Sequence, residues 1–468
     1  MPQINASDAI AWKACRRRAW YDIHESDLGD PPDKFQQLIM HAGMEHERAV
    51  LETLNDYAEA RDESHTAELM ANLTPIIYQP KFRDDALGLV AQPDFLFLEP
   101  EGYRAADAKL ASSIKDKTDL RIQLAVYQRV LRSELPTKAL LGSGEEALIG
   151  KKDLERADDF IADMASLLES PRPNVHFSAS KCNACAYSAT CISEFQASGD
   201  LGQNYFLRAE PIPHLQQQGI YTLTDLAEQD PESLPEVSYM KGDTRHLAVL
   251  HAQALTSGET KVLAEPDPIP GTAIHFDIET NPLAAESKEE VYLWGFLMPP
   301  YAKENFEYVW HDGGAEADSD GWRQFLFRVA EHRDQYPDAV YVHYARFERD
   351  VIKRYAARFG DESHPEVEWL LNGGGLLDLC EVLKKCLVLP TYGYGLKEVC
   401  KDSNLVNFQW ELKESGSQWS VVRYIDFLKT RDDEEREKIK AEVLSYNRDD
   451  VRATRALEIW LGKIGAPV

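Results

Sequence analysis

The segment GLVAQPDFLFLEPEGYRAADAKLASS, residues 88–113, constrains the fold more than any other stretch. Glu99-Pro100-Glu101-Gly102 has proline second and glycine fourth, the pattern of a type I turn. A hairpin centred on Pro100 and Glu101 places Asp94 opposite Asp107, unless a bulge shifts the register by one. Strand alternation then puts Lys109 on the face of Asp107. Two facing carboxylates repel by about 4 kcal/mol at roughly 4 Å and an effective dielectric of about 20. A divalent cation removes that repulsion, and a lysine beside it can orient water or offset charge growing on a phosphate. The chemistry this predicts is metal-assisted phosphodiester cleavage.

Two helical stretches supply partners. Gly43-x-x-His46-Glu47 offers His46 as a further metal ligand, and Gln123 and Tyr127, four apart, share one helix face. Taken in order, Gly43-x-x-His46-Glu47, Pro93-Asp94, Asp107-x-Lys109 and Gln123-x-x-x-Tyr127 resemble the motif string of the RecB-like PD-(D/E)XK nucleases, over about residues 1–200. The resemblance implies a restriction-endonuclease-like fold with His46, Asp94 and Asp107 as Mg²⁺ or Mn²⁺ ligands. It also implies Lys109 as the catalytic lysine, with Gln123 and Tyr127 in support.

Cysteine usage is uneven. Cys182-x2-Cys185-x5-Cys191 follows that region, Cys15 opens it, and Cys380, Cys386 and Cys400 lie far downstream without metal-type spacing. Clustered cysteines in an intracellular chain mean metal more often than disulfide. By count, a four-cysteine zinc site and a [4Fe–4S] cluster both fit. The spacing resembles the iron–sulfur subset of RecB-like nucleases, the CRISPR-associated exonucleases and AddB-type repair subunits, and so implies the cluster, with zinc as the alternative. Arg16, Arg17 and Arg18 beside Cys15 are candidates for contacting nucleic-acid phosphates.

Further on, residues 205–262 read as short helices of a helix-hairpin-helix-like linker domain, with Gly219 ending one helix and Thr222-x-x-Asp225 capping the next. EPDPIPG (265–271) is a stiff linker. From about 270 to 468, strands and helices alternate as in an α/β domain. GTAIHFDIETNP reads as a strand with Asp277 and Glu279 on one face. AVYVHYARFERDVIKRY runs from strand into helix with Glu348 in the first turn, and a late helix sets Tyr446 and Asp450 on one face. Carboxylates from three separate elements converge only around something cationic, and two metal ions would serve.

This half resembles the DEDDy 3′→5′ exonucleases of the RNase H-like fold. That implies Asp277, Glu279, Glu348 and Asp450 as Mg²⁺ or Mn²⁺ ligands and Tyr446 as the residue holding the attacking water. The third acid of that family is usually Asp, and here it is Glu348. Asp449 is expected on the exposed face, and GYGLKEVC (393–400) resembles a segment common in the superfamily whose glycines can also simply shape a turn. Both resemblances in this order match a bacterial family of RecB-like nucleases of similar length.

At 468 residues, a prior of roughly 150 per domain gives about three domains. Charges of 51 against 79 leave −28, which excludes a general basic coat but not a nuclease whose carboxylates hold metal. No apolar run reaches the ~18 residues of a membrane span. The N-terminus lacks a signal layout, so a cytoplasmic protein without membrane contact is expected. GSGEEALIGKK (142–152) lacks the spacing of a phosphate-binding loop, so nothing supports ATP hydrolysis. The reading is a multidomain α/β, metal-dependent nuclease with two sites. It acts on DNA rather than RNA in repair, recombination or defence, with helicase, repair or defence proteins as partners. The alternative is a nucleic-acid-binding adaptor with one or both sites inactive.

Overall fold

The computed structural model describes residues 3–284, 289–302, 305–412 and 417–465. Two compact units emerge, Met1–Glu194 and Phe195–Val468.

The first is built on a six-stranded mixed sheet in the order Tyr57–Glu59, Ile76–Tyr78, Phe95–Glu99, Gly102–Lys109, Lys138–Leu141, Glu146–Leu148. The hairpin pairs Phe95 with Ala106 and closes at Glu99 and Gly102, the register that the turn predicts. Gly102 sits at φ 131°, a conformation that favours glycine. Helix Thr118–Leu131 buries Ile122, Leu124, Ala125, Val126 and Val130 and packs on the second hairpin strand. It is clamped to helix Lys151–Leu167 by Arg121, whose Nε and Nη2 donate to the two oxygens of buried Asp153 at 2.9 and 2.5 Å. Such a fork fixes the helix along its axis as well as its face.

The second unit centres on a five-stranded sheet ordered Phe306–Trp310, Glu290–Leu297, Thr272–Asn281, Ala339–His343, Leu376–Asp378. The first three strands run antiparallel, and the last two run parallel to the central Thr272–Asn281. Ile274, Phe276 and Ile278 face one core with Trp322, Phe325 and Val351, from helices Ala315–Gln335 and Phe347–Phe359. Ala273 faces the other with Ala453 and Leu457, from the long helix Asp433–Leu461. Period-two alternation therefore turns Asp277 and Glu279 toward that long helix. The register shifts between Glu279 and Thr280, at the end of the acid-bearing stretch.

The helical stretch expected as a separate linker falls within this second unit and has its own core of Leu215, Ile220, Leu226, Val249 and Ala252. Thr222 and Asp225 form the capping box that their spacing predicts. Strand Lys261–Val262 pairs with Leu387–Val388, and His251 reaches the Thr391 carbonyl at 2.9 Å, tying this stretch to the α/β part.

Candidate active sites

In the first unit, the Asp94 amide donates to Asp107 Oδ1 at 3.2 Å, while Asp94 Oδ2 accepts the Ala108 amide at 2.7 Å. The two carboxylates thus meet across the hairpin. Lys109 is ion-paired with Asp107 and donates to Gln123 Oε1 at 3.2 Å, and Gln123 Nε2 donates to Tyr127 Oη at 2.8 Å. The strand lysine is oriented by a helix glutamine that a helix tyrosine orients in turn. A cavity of about 510 Å³ opens here, lined by Glu47, Asp94, Asp107, Lys109, Gln123 and Tyr127. Burial, then repulsion from Asp107 and Glu47, pushes the Asp94 carboxyl up to about 9.

His46 is placed differently. Its Nε2 lies 3.1 Å from the Leu140 carbonyl, and it is the neighbouring Glu47 that lines the cavity. Glu47 Oε1 accepts from Tyr78 Oη at 2.9 Å and Gln79 Nε2 at 2.5 Å, and the same Gln79 amide reaches Asp94 Oδ1 at 3.5 Å. Spacing alone does not separate Glu47 from the imidazole beside it.

The four cysteines gather. Cys15, Cys185 and Cys191 all lie near enough to raise the Cys182 thiol, after the larger effect of burial. Arg17 hydrogen-bonds the Cys191 thiol. Among the described residues, no three of these sulfurs lie within 4.8 Å of one another. Arg17 departs from the expectation of free phosphate contacts, while Arg16 and Arg18 stay partly exposed. Arg17 is only 6% exposed, with Nε on the Pro173 carbonyl at 3.1 Å and Nη1 on Glu194 at 3.2 Å. Arg16 is ion-paired with Asp163 and lies 3.8 Å over the Trp12 ring, and Arg18 faces Asp22 at 4.0 Å. Arg17 binds its own chain because the stretch from Pro173 to Glu194 folds back over it, whereas Arg16 pairs with helix Lys151–Leu167 and Arg18 with an acid one turn along its own helix.

In the second unit, ligand oxygens of Asp277, Glu279 and Asp450 lie within 4.8 Å of one another, the only such group of three or more metal-ligating side chains among the described residues. Glu279 and Asp450 are buried, and Asp277 keeps some exposure. Burial, followed by repulsion from Glu279, Asp450 and Glu348, raises Asp277 well above the usual carboxylate range. Burial and Asp450 push Glu279 up to about 8. Glu348 stands outside the tight triad but hydrogen-bonds Asp277. Its Oε2 lies 3.2 Å from His343 Nδ1. Tyr446 is buried on the Asp450 face of the long helix and hydrogen-bonds that acid.

Several neighbours carry no spacing signal. Asn447 Nδ2 donates to Asp277 Oδ2 at 2.7 Å and to Glu279 Oε1 at 3.4 Å, Ser420 Oγ donates to Glu279 Oε2 at 2.6 Å, and Trp410 Nε1 donates to Asp450 Oδ1 at 2.7 Å. Lys397 donates to Tyr446 Oη at 2.9 Å. Burial holds its ammonium below the ordinary lysine range, against the pull of Asp450, Glu279 and Asp277. It belongs to the GYGLKEVC segment, so that segment brings a cation to the acids. Asp449, expected on the exposed face, is instead fully buried. Its Oδ2 accepts the Glu411 amide at 2.7 Å and Oδ1 the Arg452 guanidinium at 2.9 Å, because the chain around Trp410 folds over that face of the helix.

Among the described residues, no helix is long and apolar enough to cross a membrane. No curated protein matches this chain. Among solved structures, the crystal structure of SSO0001 aligns at 15% identity over 41% of this chain and 86% of that one, with a TM-score of 0.24. Family models match each unit: the PD-(D/E)XK nuclease superfamily over residues 4–192 and the RNase H superfamily over residues 274–462. The chain thus carries an N-terminal PD-(D/E)XK nuclease superfamily domain and a C-terminal RNase H superfamily domain, a pairing that supports a metal-dependent nuclease acting on nucleic acid.

Proposed function

We propose that the protein hydrolyses phosphodiester bonds of DNA at two sites, with the C-terminal one removing nucleotides in the 3′→5′ direction. The observation that carries the reading is the Asp277–Glu279–Asp450 triad, three acids within 4.8 Å. Packing alone gives no reason to keep such a cluster, whose mutual repulsion a divalent cation would cancel. The donors fit Mg²⁺ or Mn²⁺: all are carboxylates, the hard oxygen ligands those ions take. Bound divalent ions would supply charge neutralisation for the phosphate and acidify an attacking water.

In this reading Asp277, Glu279 and Asp450 hold one ion, and Glu348 with Asp277 serves a second. Tyr446 orients the attacking water, with its hydroxyl fixed from behind by Lys397. At the N-terminal site Asp94 and Asp107 are the ligands, joined by His46 or by Glu47. Lys109, steadied by Gln123 and Tyr127, meets the charge that grows on the phosphate. The cysteines hold a [4Fe–4S] cluster that joins the two ends of the first domain. The Cys182-x2-Cys185-x5-Cys191 spacing with a distant Cys15, rather than paired CxxC knuckles, supports the cluster over zinc.

The test is degradation of labelled single- and double-stranded DNA and RNA in Mn²⁺ by the parent, Asp94→Ala, Asp277→Ala and the double variant. Each single variant should keep one activity and the double variant none. Binding without degradation under every condition would replace this reading with that of an adaptor. Anaerobically purified protein should be brown, and Cys185→Ser should remove the colour; a colourless zinc-loaded parent would overturn the cluster.

A further inference from the structure

His343 ends the fourth strand of the C-terminal sheet, Glu348 opens the helix that follows, and the intervening turn is unusual. Ala345 occupies φ 64°, a left-handed conformation costly for any residue with a Cβ. Two hydrogen bonds hold it there, one through its amide and one through its carbonyl. The Ala345 amide donates to Asp378 Oδ1 at 2.9 Å, and the same oxygen caps the next helix by accepting the Cys380 and Glu381 amides at 2.9 and 3.3 Å. Asp378 is the register partner of His343 on the adjacent parallel strand. His343 Nδ1 then lies 2.6 Å from the Ala345 carbonyl and 3.2 Å from Glu348 Oε2. A carbonyl oxygen only accepts, so Nδ1 carries the proton and is shared between the turn and the acid. His343 and Glu348 are 1% and 3% exposed.

Resting on the proposed reading of the C-terminal site, we infer that His343 is a positioning residue that sets the Glu348 carboxylate against Asp277. Glutamate has one more rotatable bond than aspartate, and left loose it would spread its oxygens over several positions. The imidazole removes that freedom from one side, and the Asp378-braced turn fixes the imidazole itself. The pair is therefore matched in length: glutamate reaches the histidine and the site together, and aspartate would reach only one.

The experiment uses the full chain carrying Asp94→Ala, so that only the C-terminal site contributes. Manganese binding is followed by loss of the free Mn²⁺ paramagnetic resonance signal, alongside melting in EDTA and cleavage rate. His343→Phe should weaken the second, looser Mn²⁺ by about 10- to 100-fold, the usual cost of losing a group that orients a ligand. The tighter ion and the melting temperature should stay in place. His343→Asn, whose side-chain amide can donate from a similar position, should recover most of the loss, and Glu348→Asp should resemble His343→Phe. Unchanged Mn²⁺ binding in His343→Phe would overturn the inference, as would equal loss of both ions with a lowered melting temperature. A parent that binds no Mn²⁺ would instead refute the metal-dependent reading of the site, and the inference with it, before any His343 variant is compared.

Discussion

Asp94 and Asp107 bond through backbone as well as facing each other: the amide of the first donates to the carboxylate of the second at 3.2 Å. Hairpin hydrogen bonding therefore holds both acids in place whether or not a cation is present. Asp94 titrates near 9 in the folded chain, against 3.8 as its ordinary value. Between those values the folded state binds the extra proton, so stability without metal falls as pH rises. Asp94→Asn keeps the oxygen that accepts the Ala108 amide and removes the ionisable group. In EDTA at pH 8 it should melt higher than the parent, by about 1–3 kcal/mol of stability. Added Mn²⁺ should stabilise the parent and leave the N-terminal unfolding step of the variant unmoved. A variant that melts lower in EDTA would refute the account.

Lys397 gives a second prediction. Its ammonium hydrogen-bonds Tyr446 Oη and lies 4.4 Å from the centre of the Tyr446 ring. Lys397→Met preserves much of the packing and removes the charge. On an Asp94→Ala background the cleavage rate should fall about 10²-fold, the scale of losing one fixed electrostatic contact at a reacting centre. Tyr446→Phe should fall similarly and the double variant little further, since both act through one hydroxyl. Additive losses in rate assays would separate the lysine from the tyrosine.

What the sequence made legible is what local geometry determines. Glu99-Pro100-Glu101-Gly102 sets the pairing across the hairpin, Asp277 and Glu279 follow strand alternation, and Tyr446 and Asp450 follow the helix repeat. The choice between His46 and Glu47 is not of that kind. Adjacent helix residues point about 100° apart. Helix Lys34–Glu52 buries none of its residues, so its apolar pattern does not fix which one turns inward. Asp449 was misplaced because a distant segment around Glu411 covers it. Lys397, Ser420 and Trp410 reach the acids from other elements, and no spacing links any of them to the motifs.

Gly295 lies inside strand Glu290–Leu297, where a glycine marks close approach by another group. It pairs with Asp277 across the central strands, and a Cβ built there would overlap Asn447 Oδ1. Its missing side chain lets the asparagine approach and donate to Asp277 and Glu279. Gly295→Ala should destabilise the second unit by about 1–3 kcal/mol, the cost of overpacking, and lower C-terminal cleavage. In an Asn447→Ala background the destabilisation should shrink markedly, because the clash has lost its partner. Equal cost in both backgrounds, measured by urea unfolding, would place the strain elsewhere.

His251 sets an acid limit on the same unit. It is fully buried: Nδ1 accepts the Tyr205 amide at 3.0 Å and Nε2 lies 2.9 Å from the Thr391 carbonyl. Those partners require the neutral ring protonated at Nε2, and a proton on Nδ1 would face an N–H. Burial, opposed by the Thr391 bond, takes its titration down to about 4 from an ordinary 6.5. Below 6.5 the unfolded chain binds a proton that the folded chain refuses, so this residue withdraws stability as pH falls from 6.5 to 4 and then levels off. The full loss is about 3 kcal/mol at 1.36 kcal/mol per pH unit. Carboxylates titrate over part of the same range, so the comparison is between the parent and His251→Leu. The variant should be less stable at pH 7, having lost two hydrogen bonds, and the gap should narrow or reverse by pH 4.5. Parallel urea-unfolding profiles across that range would show that the imidazole is not the titrating group.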